Sequence, residues 1–225
     1  NSTVSANTTS GFSIVTYTSP NNSADQTVGH GLGTTPGLII VKNRNSTFNW
    51  DIFHQSLGYN ASLTFTTAAT RSGAFGSTIN STVFTTKNTY THNGTDPYVA
   101  YCFAPVAGYS AFGSYTGNGS SDGPFVYTGF RPRFIMWKNT TTAGYNWEII
   151  DTARDTYNVM LNVLGPNTSA AESAFAGPPY LDAVSNGFKI RAGSASSGYQ
   201  NINNNNDTYI YAAFAENPFK YSLAR

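Results

Sequence analysis

Charge is scarce in this chain. Eleven Asp and Glu and twelve Lys and Arg make up 10% of its 225 residues and leave a net charge of +1. A nucleic-acid or anionic-bilayer surface needs clustered cations, and here Lys and Arg are scattered without a block of like sign. No nucleic-acid partner is expected. A single cysteine, Cys102, excludes an intrachain disulfide. No run approaches the roughly 20 apolar residues of a transmembrane helix, so no membrane insertion is expected, and no secretory-signal pattern is present. The chain does not open on Met, which predicts a processed product or part of something longer. Helical periodicity is nearly missing too: Ser169 to Phe175 is the best candidate for one short helix.

Catalytic signatures are equally thin. Glycosidases need two carboxyl groups on either side of a scissile bond, and Glu148, Asp151 and Asp155 form the one local acidic cluster. Its counterparts elsewhere in the chain are Asp51 and His54, so the cluster is not repeated, and Glu148 reads as a structural position after Trp147. His30, His54 and His92 have no metal-ligand spacing among themselves or to Cys102. His30 and His92 fall in Gly/Asn-rich turns, where solvent exposure is the default. Asn203 to Asp207 could offer oxygens to Ca²⁺ but reads as an Asn-rich turn. There is no Gly-x-Ser-x-Gly elbow with partners and no phosphate-binding loop. The expectation is no catalytic residue, no metal, no cofactor and no enzyme activity.

What the chain does have is aromatic mass: fifteen Tyr, fifteen Phe and three Trp, ample to pack a core and contrary to disorder. It also says nearly the same thing twice. Gly11-Phe12-Ser13 returns as Gly108-Tyr109-Ser110, and Pro36 to Lys42 returns as Pro132 to Lys138. Asn49-Trp50-Asp51 becomes Asn146-Trp147-Glu148, and Tyr98 to Ala104 becomes Tyr209 to Ala215. Repetition of the Trp in matching strand contexts favours core packing for Trp50 and Trp147 over sugar stacking. Cys102 matches Ala213, which marks a site for a small apolar group and makes Cys102 a buried structural thiol.

A period of roughly 100 residues fits one small domain per copy. The apolar residues alternate or run in short blocks between Asn-Gly and Gly-rich turns, which is strand behaviour. In the segment from Tyr98 to Ala104, Tyr98, Ala100, Cys102 and Ala104 would face one side and Val99, Tyr101 and Phe103 the other. The predicted fold is all-β: two tandem antiparallel β-sandwich, jelly-roll-like modules at 11–107 and 108–225, after a polar N-terminal arm at 1–10 that is flexible or engaged with a neighbour. The offset between copies grows from 96 at Pro36/Pro132 to 111 at Tyr98/Tyr209, so the second copy carries larger loops, between about Gly165 and Tyr180 and between about Ala192 and Thr208. Loops on rigid sandwiches often carry binding, which makes Asn167, Tyr180, Tyr199 and Asn203 the candidate recognition residues. Asn-x-Ser/Thr sequons mark Asn1, Asn7, Asn21, Asn45, Asn60, Asn80, Asn93, Asn118, Asn139, Asn167 and Asn206 as candidate N-glycan acceptors.

Several strings are distinctive: Gly113 to Gly119, Gly123 to Pro132, Ser185 to Arg191, and Tyr209 to Phe219 before Ala224-Arg225, with Gly31-Leu32-Gly33 ahead of Pro36. Together they resemble a C-terminal domain of tail-fibre-like and other virion-associated proteins of aquatic tailed phages. The resemblance implies a non-enzymatic structural or host-adsorption role on a virion surface or outside the cell. It implies homo-oligomers or neighbouring virion subunits as partners, with a host-surface glycan as ligand. The alternative expectation is a self-assembling, glycosylated extracellular filament or sheath subunit, whose N-terminal arm adds as a strand to the next subunit.

Overall fold

The structure, a computed structural model, describes residues 2–174, 180–192 and 200–217. The chain is all-β and divides into two compact units, Asn1–Phe65 with Thr70–Val106, and Thr66–Ala69 with Ala107–Arg225.

Unit 1 contains β1 (Ser2–Asn7), β2 (Phe12–Thr18), β3 (Gln26–Gly29), β4 (Leu38–Asn43) and β5 (Asp51–His54). It continues with β6 (Ala61–Thr64), β7 (Arg71–Ser72), β8 (Phe75–Ile79), β9 (Val83–Thr86) and β10 (Pro97–Phe103). A seven-stranded sheet runs β1-β2-β10-β4-β5-β6-β7, and a three-stranded sheet runs β3-β9-β8. Strand alternation decides which side chains face the core: in β10, Tyr98, Ala100 and Cys102 are buried while Val99, Tyr101 and Phe103 are half-buried. They join Val15, Tyr17, Ile39, Val41, Val28, Phe75 and Phe84 in one cluster drawn from both sheets, as in a sandwich.

Unit 2 contains β11 (Ser110–Thr116), β12 (Phe125–Tyr127), β13 (Pro132–Asn139), β14 (Glu148–Asp151) and β15 (Asn162–Val163). After these come β16 (Ser173–Ala174), β17 (Leu181–Val184), β18 (Gly187–Ile190), a short helix α1 (Gln200–Asn203) and β19 (Thr208–Ala215). Its larger sheet runs β11-β19-β13-β14, and its smaller one β12-β18-β17. These orders repeat β2-β10-β4-β5 and β3-β9-β8 of unit 1. Ile135, Trp137, Ile150, Phe188, Ile190, Tyr209 and Ala213 lie in a second two-sheet cluster. Both copies open on a glycine in the left-handed region, Gly11 at φ 64° and Gly108 at φ 73°, a conformation that disfavours any side chain.

Two expectations are corrected. Residues 2–7 of the polar arm are not a free extension: β1 pairs antiparallel with β2 from Ser2↔Tyr17 to Asn7↔Phe12. The reason is that β2 would otherwise present a bare row of N–H and C=O groups, and small Ser, Thr and Ala side chains suit an exposed edge strand. The Ser169–Phe175 helix is not formed either. Residues 169–172 have no regular structure and Ser173–Ala174 pair with β15, since the segment has no helical apolar face to dock; Phe175 lies outside the described residues. The one-residue register between copies also slips: Ser13 sits opposite Cys102 whereas Ala111, not Ser110, sits opposite Ala213.

Candidate recognition surfaces

The acidic cluster separates once folded. Along β14, Glu148 and Ile150 are buried and Ile149 and Asp151 are half-buried, the alternation that sends neighbours to opposite faces. Asp151 accepts hydrogen bonds from the Ala153 N–H at 3.0 Å, the Arg154 N–H at 2.9 Å and Arg154 Nε at 2.6 Å. Asp155 accepts from the N–H groups of Leu161 and Asn162, both at 2.7 Å. These two carboxylates tie down turns. Glu148 alone points inward, only 4% exposed, and accepts a 2.7 Å hydrogen bond from the Tyr180 hydroxyl on Oε2. Burial, then the Glu148 charge, pushes the Tyr180 phenol well up. Its counterpart Asp51 is ion-paired with Arg71, whose guanidinium also lies 4.6 Å above the Tyr90 ring.

The paired tryptophans part company as well. Trp147 is 1% exposed, in keeping with a core role, but Trp50 is 37% exposed and the core expectation for it is corrected. Trp50 and Trp147 each stand just before their strand, β5 and β14, so strand position does not separate them; what unit 2 adds is Asn167 from its longer loop, which takes the Trp147 N–H. The Trp50 indole lies near-parallel to Tyr101, with centroids 6.3 Å apart and planes 24° apart, and edge-on to Phe65. Phe48, two residues upstream, is 47% exposed.

One constellation went unread in the sequence and occurs in both units. Asn43 in β4 gives Nδ2 to Asp96 at 2.9 Å and to the Tyr98 hydroxyl at 3.0 Å, while its Oδ1 takes the N–H groups of Asn45 and Ser46. Asn139 in β13 gives Nδ2 to Asp207 at 2.8 Å and to the Tyr209 hydroxyl at 3.3 Å, while its Oδ1 takes the N–H groups of Thr141 and Thr142. Beside each clasp two tyrosines stack, Tyr17 on Tyr98 at 5.3 Å and 10°, Tyr115 on Tyr209 at 5.0 Å and 9°. Hydrogen bonds from Asn43 and Asn45 lower the Asp96 pKa. Burial raises that of Asp207, but bonds from Asn139, Asn204 and Thr142 outweigh it and the net direction is down. Extending the Lys42/Lys138 match by one residue would have found the Asn pair.

The clasp corrects Asn139 as a glycan acceptor: it is fully buried with its amide nitrogen in use. Asn7, Asn21, Asn45, Asn60, Asn80, Asn118 and Asn206 are exposed, Asn93 and Asn167 half-buried, and Asn1 lies outside the described residues. Three of the four recognition residues are corrected to supporting roles. Asn203 is buried, taking the Asn118 N–H on Oδ1 and reaching the carbonyls of Ser120 and Ala192 through Nδ2. Tyr180 is buried and donates its hydroxyl to Glu148 Oε2. Asn167 takes the Trp147 N–H at 2.9 Å and gives Nδ2 to Asn146 Oδ1 at 2.9 Å. Tyr199 lies outside the described residues. Asp207 turns its oxygens to Asn139, Asn204 and Thr142, so the Asn203–Asp207 stretch is a braced turn.

His30 and His92 are not the exposed loop residues expected: both are buried, because their ring nitrogens are engaged by neighbouring groups, and His54 at the end of β5 is buried as well. His30 Nδ1 accepts the Leu32 N–H and Nε2 meets the Asn80 carbonyl at 3.0 Å; His54 Nδ1 accepts the Ser56 N–H. His92 Nδ1 lies 2.9 Å from Thr86 Oγ1, which itself donates to the Gln26 carbonyl. Cys102 is buried, and burial pushes its thiol up to about 12. Among the described residues no three His, Cys, Asp or Glu side chains gather as metal ligands, and no helix is long and apolar enough to cross a membrane.

Residues 1–218 match DUF7483, a domain of unknown function. The chain belongs to this family. The match spans both units, so the DUF7483 domain comprises the pair rather than one sandwich. No curated protein and no solved structure matches the chain.

Proposed function

We propose that this chain is a non-enzymatic surface protein, a virion or tail-fibre component that attaches to its host by binding glycan. The observation that carries the reading is Trp50. A near-parallel indole and phenol with an exposed Phe48 beside them make a rigid apolar platform, and the apolar face of a pyranose stacks on such rings with little ordering cost. Its buried twin Trp147 argues that exposure at Trp50 is not dictated by the repeat. The surroundings are rich in Asn, Ser and Thr, which recognise sugar hydroxyls by neutral hydrogen bonds. An array of bacterial and algal surface glycans tests the idea. Binding by the wild type that Trp50→Ala abolishes, at unchanged melting temperature, is expected; no hit on any glycan removes the attachment reading.

A second reading, the self-assembling filament, is favoured by β1. It is the outermost strand of its sheet with β2 as sheet neighbour, and an edge of this kind can pair with another copy. Deleting residues 1–10 separates the two: a filament stops polymerising, while a glycan binder retains its ligand.

A further inference from the structure

The smaller sheet of unit 2, β12-β18-β17, wears two aromatic rings on its outer face. In β12, Val126 is buried in the core, so Phe125 and Tyr127 on either side of it turn outward. They are 48% and 67% exposed. Register sets their neighbours: Phe125 sits opposite Lys189, Lys189 opposite Asp182, and Tyr127 opposite Gly187. Arg191 follows Lys189 by two residues with the buried Ile190 between them, so it joins the same face. The fold itself does not call for the rings. In unit 1, Val28 opposite Phe84 matches Val126 opposite Phe188, and the two outward steps beside Val28 hold Thr27 and Gly29.

Both rings are set in place. A Cβ on Gly187 would lie 3.1 Å from Phe125 Cε2, and one on Gly129 would lie 3.5 Å from the Tyr127 hydroxyl oxygen. Each ring therefore rests against glycine backbone. The charges beside them are paired, Lys189 with Asp122 at 2.6 Å and Arg191 Nε with Asp182 at 2.7 Å. The hydrogen bond and charge of Lys189, then the charge of Arg191, hold the Asp122 carboxyl below its ordinary value, so both cations face this acid. Two cations against two anions leave the face neutral. Arg191 has capacity to spare: its side chain is 43% exposed, and among the described residues only Nε of its guanidinium has a partner. Asp122, with its side chain 85% exposed, keeps free lone pairs.

We infer that this face binds a neutral oligosaccharide, its rings stacked on Phe125 and Tyr127 and its hydroxyls held by Arg191 and Asp122. The C–H face of a sugar suits an exposed ring. Its hydroxyls both accept from the spare guanidinium donors and donate to a carboxylate. An anion gains nothing from a face whose charges cancel, and a purely apolar ligand would strip water from four charged groups. A protein partner fits poorly on size: a stable interface buries about 800 Å² a side, whereas these two rings expose only on the order of 250 Å². From Gly187 to Arg191 the strip runs about 13 Å, longer than one sugar ring. The saccharide as ligand rests on the attachment reading; the location of the site does not.

The test is titration of the isotopically labelled full chain with maltohexaose, mannohexaose and chitohexaose, followed by amide NMR. A galacturonate hexasaccharide is run alongside, with sedimentation velocity on the unliganded chain. Saturable shifts of the amides of Phe125 to Tyr127 and Gly187 to Arg191 at millimolar neutral sugar are expected. Phe125→Thr with Tyr127→Thr, which gives this face the residue unit 1 has at Thr27, should abolish them while the rest of the spectrum stays in place. Arg191→Lys keeps a cation for Asp182 but removes the spare donors. It should weaken binding about tenfold, the loss of one charge-assisted hydrogen bond, and carries the test if the double variant does not fold. Trp50→Ala should leave these shifts intact. Shifts confined to the surroundings of Trp50 would sink this site and spare the attachment reading, and shifts nowhere would sink both. The proposal is also overturned if the double variant and Arg191→Lys bind like the wild type, or if only the galacturonate binds. A wild type that dimerises while the double variant stays monomeric, with no sugar bound, would make the face a contact between copies instead.

Discussion

Units 1 and 2 place the same residue types at the same points of the same strand order and then surround them differently. After the repeated Trp comes an acid: in unit 1 it is Asp51, paired with Arg71, and in unit 2 it is Glu148, which takes a hydrogen bond from a buried phenol. The Trp itself is exposed in unit 1 and buried in unit 2. The Asn–Asp–Tyr clasp, by contrast, is the same in both. What stays constant between the units is scaffold, and what diverges is where ligand recognition can differ. The sharpest check is the tryptophan pair. Trp147→Ala should cost about 3–5 kcal/mol as a core truncation, and Trp50→Ala less than about 1 kcal/mol. Chemical denaturation of both variants decides it; equal losses would make Trp50 a packing residue and remove the platform.

Next in size is the clasp. Asn139 is fully buried with all its polar capacity used, and Asp207 beside it is also buried. Asn139→Ala strands those partners and should cost about 2–4 kcal/mol, while Asn43→Ala should cost about 1–2 kcal/mol because Asp96 is better solvated. Calorimetry on the two variants measures this order. A larger loss at Asn43 would mean that the clasps are not equivalent.

The sequence made the strand alternation of β10, the two-module organisation and the buried Cys102 legible, because period-two patterning and internal repetition report directly on which face packs. It could not show what sets Trp50 apart from Trp147, since both share Asn before and an acid after. Both fall just before their strand, so their fates depend on what the rest of each unit packs over them, which is decided by distant elements. Two of the candidate recognition residues, Asn167 and Tyr180, turn inward instead, toward the Trp147 N–H and the Glu148 carboxylate. Asn and Tyr satisfy backbone or side-chain groups as readily as ligands, and loop length alone does not distinguish the two uses. Asn139 shows the same limit: a sequon records three residue types and nothing of burial.

Acid should separate the units next. All three histidines belong to unit 1 and unit 2 has none. Burial lowers the pKa of His30 against the Asn80 carbonyl, and that of His92 against Asp25 and the Asn22 backbone. A group whose folded pKa is depressed contributes stability that is whole above its unfolded pKa, near 6.5 for imidazole, and is lost as the pH falls below it. The Asp96 and Asp207 contributions run in the same direction but are lost only below about pH 4, where free carboxylates protonate. Between pH 7 and pH 5, amide exchange should therefore show unit 1 opening more easily as the pH falls. Unit 2 should hardly respond. Parallel weakening of both units would show that the histidines are not what separates them.

The smallest effect expected is at the thiol. Cys102 and Ala213 occupy the same step of matching strands, Cys102 opposite Ile39 and Ala213 opposite Ile135. Since unit 2 fills this place with a methyl group, unit 1 should tolerate it, and Cys102→Ala should cost only about 1 kcal/mol, the transfer and cavity cost of one sulfur. With its thiol pushed up to about 12, Cys102 holds almost no thiolate near neutral pH, so alkylating reagents should label it only under denaturant. Ser13, directly opposite and buried, gives the substitution a second reading. If Cys102→Ala costs well over 1 kcal/mol, the sulfur is a hydrogen-bond partner for Ser13 rather than a small filler. Cys102→Ala with Ser13→Ala, the Ala–Ala pair already present as Ala213 and Ala111, should then recover most of the loss.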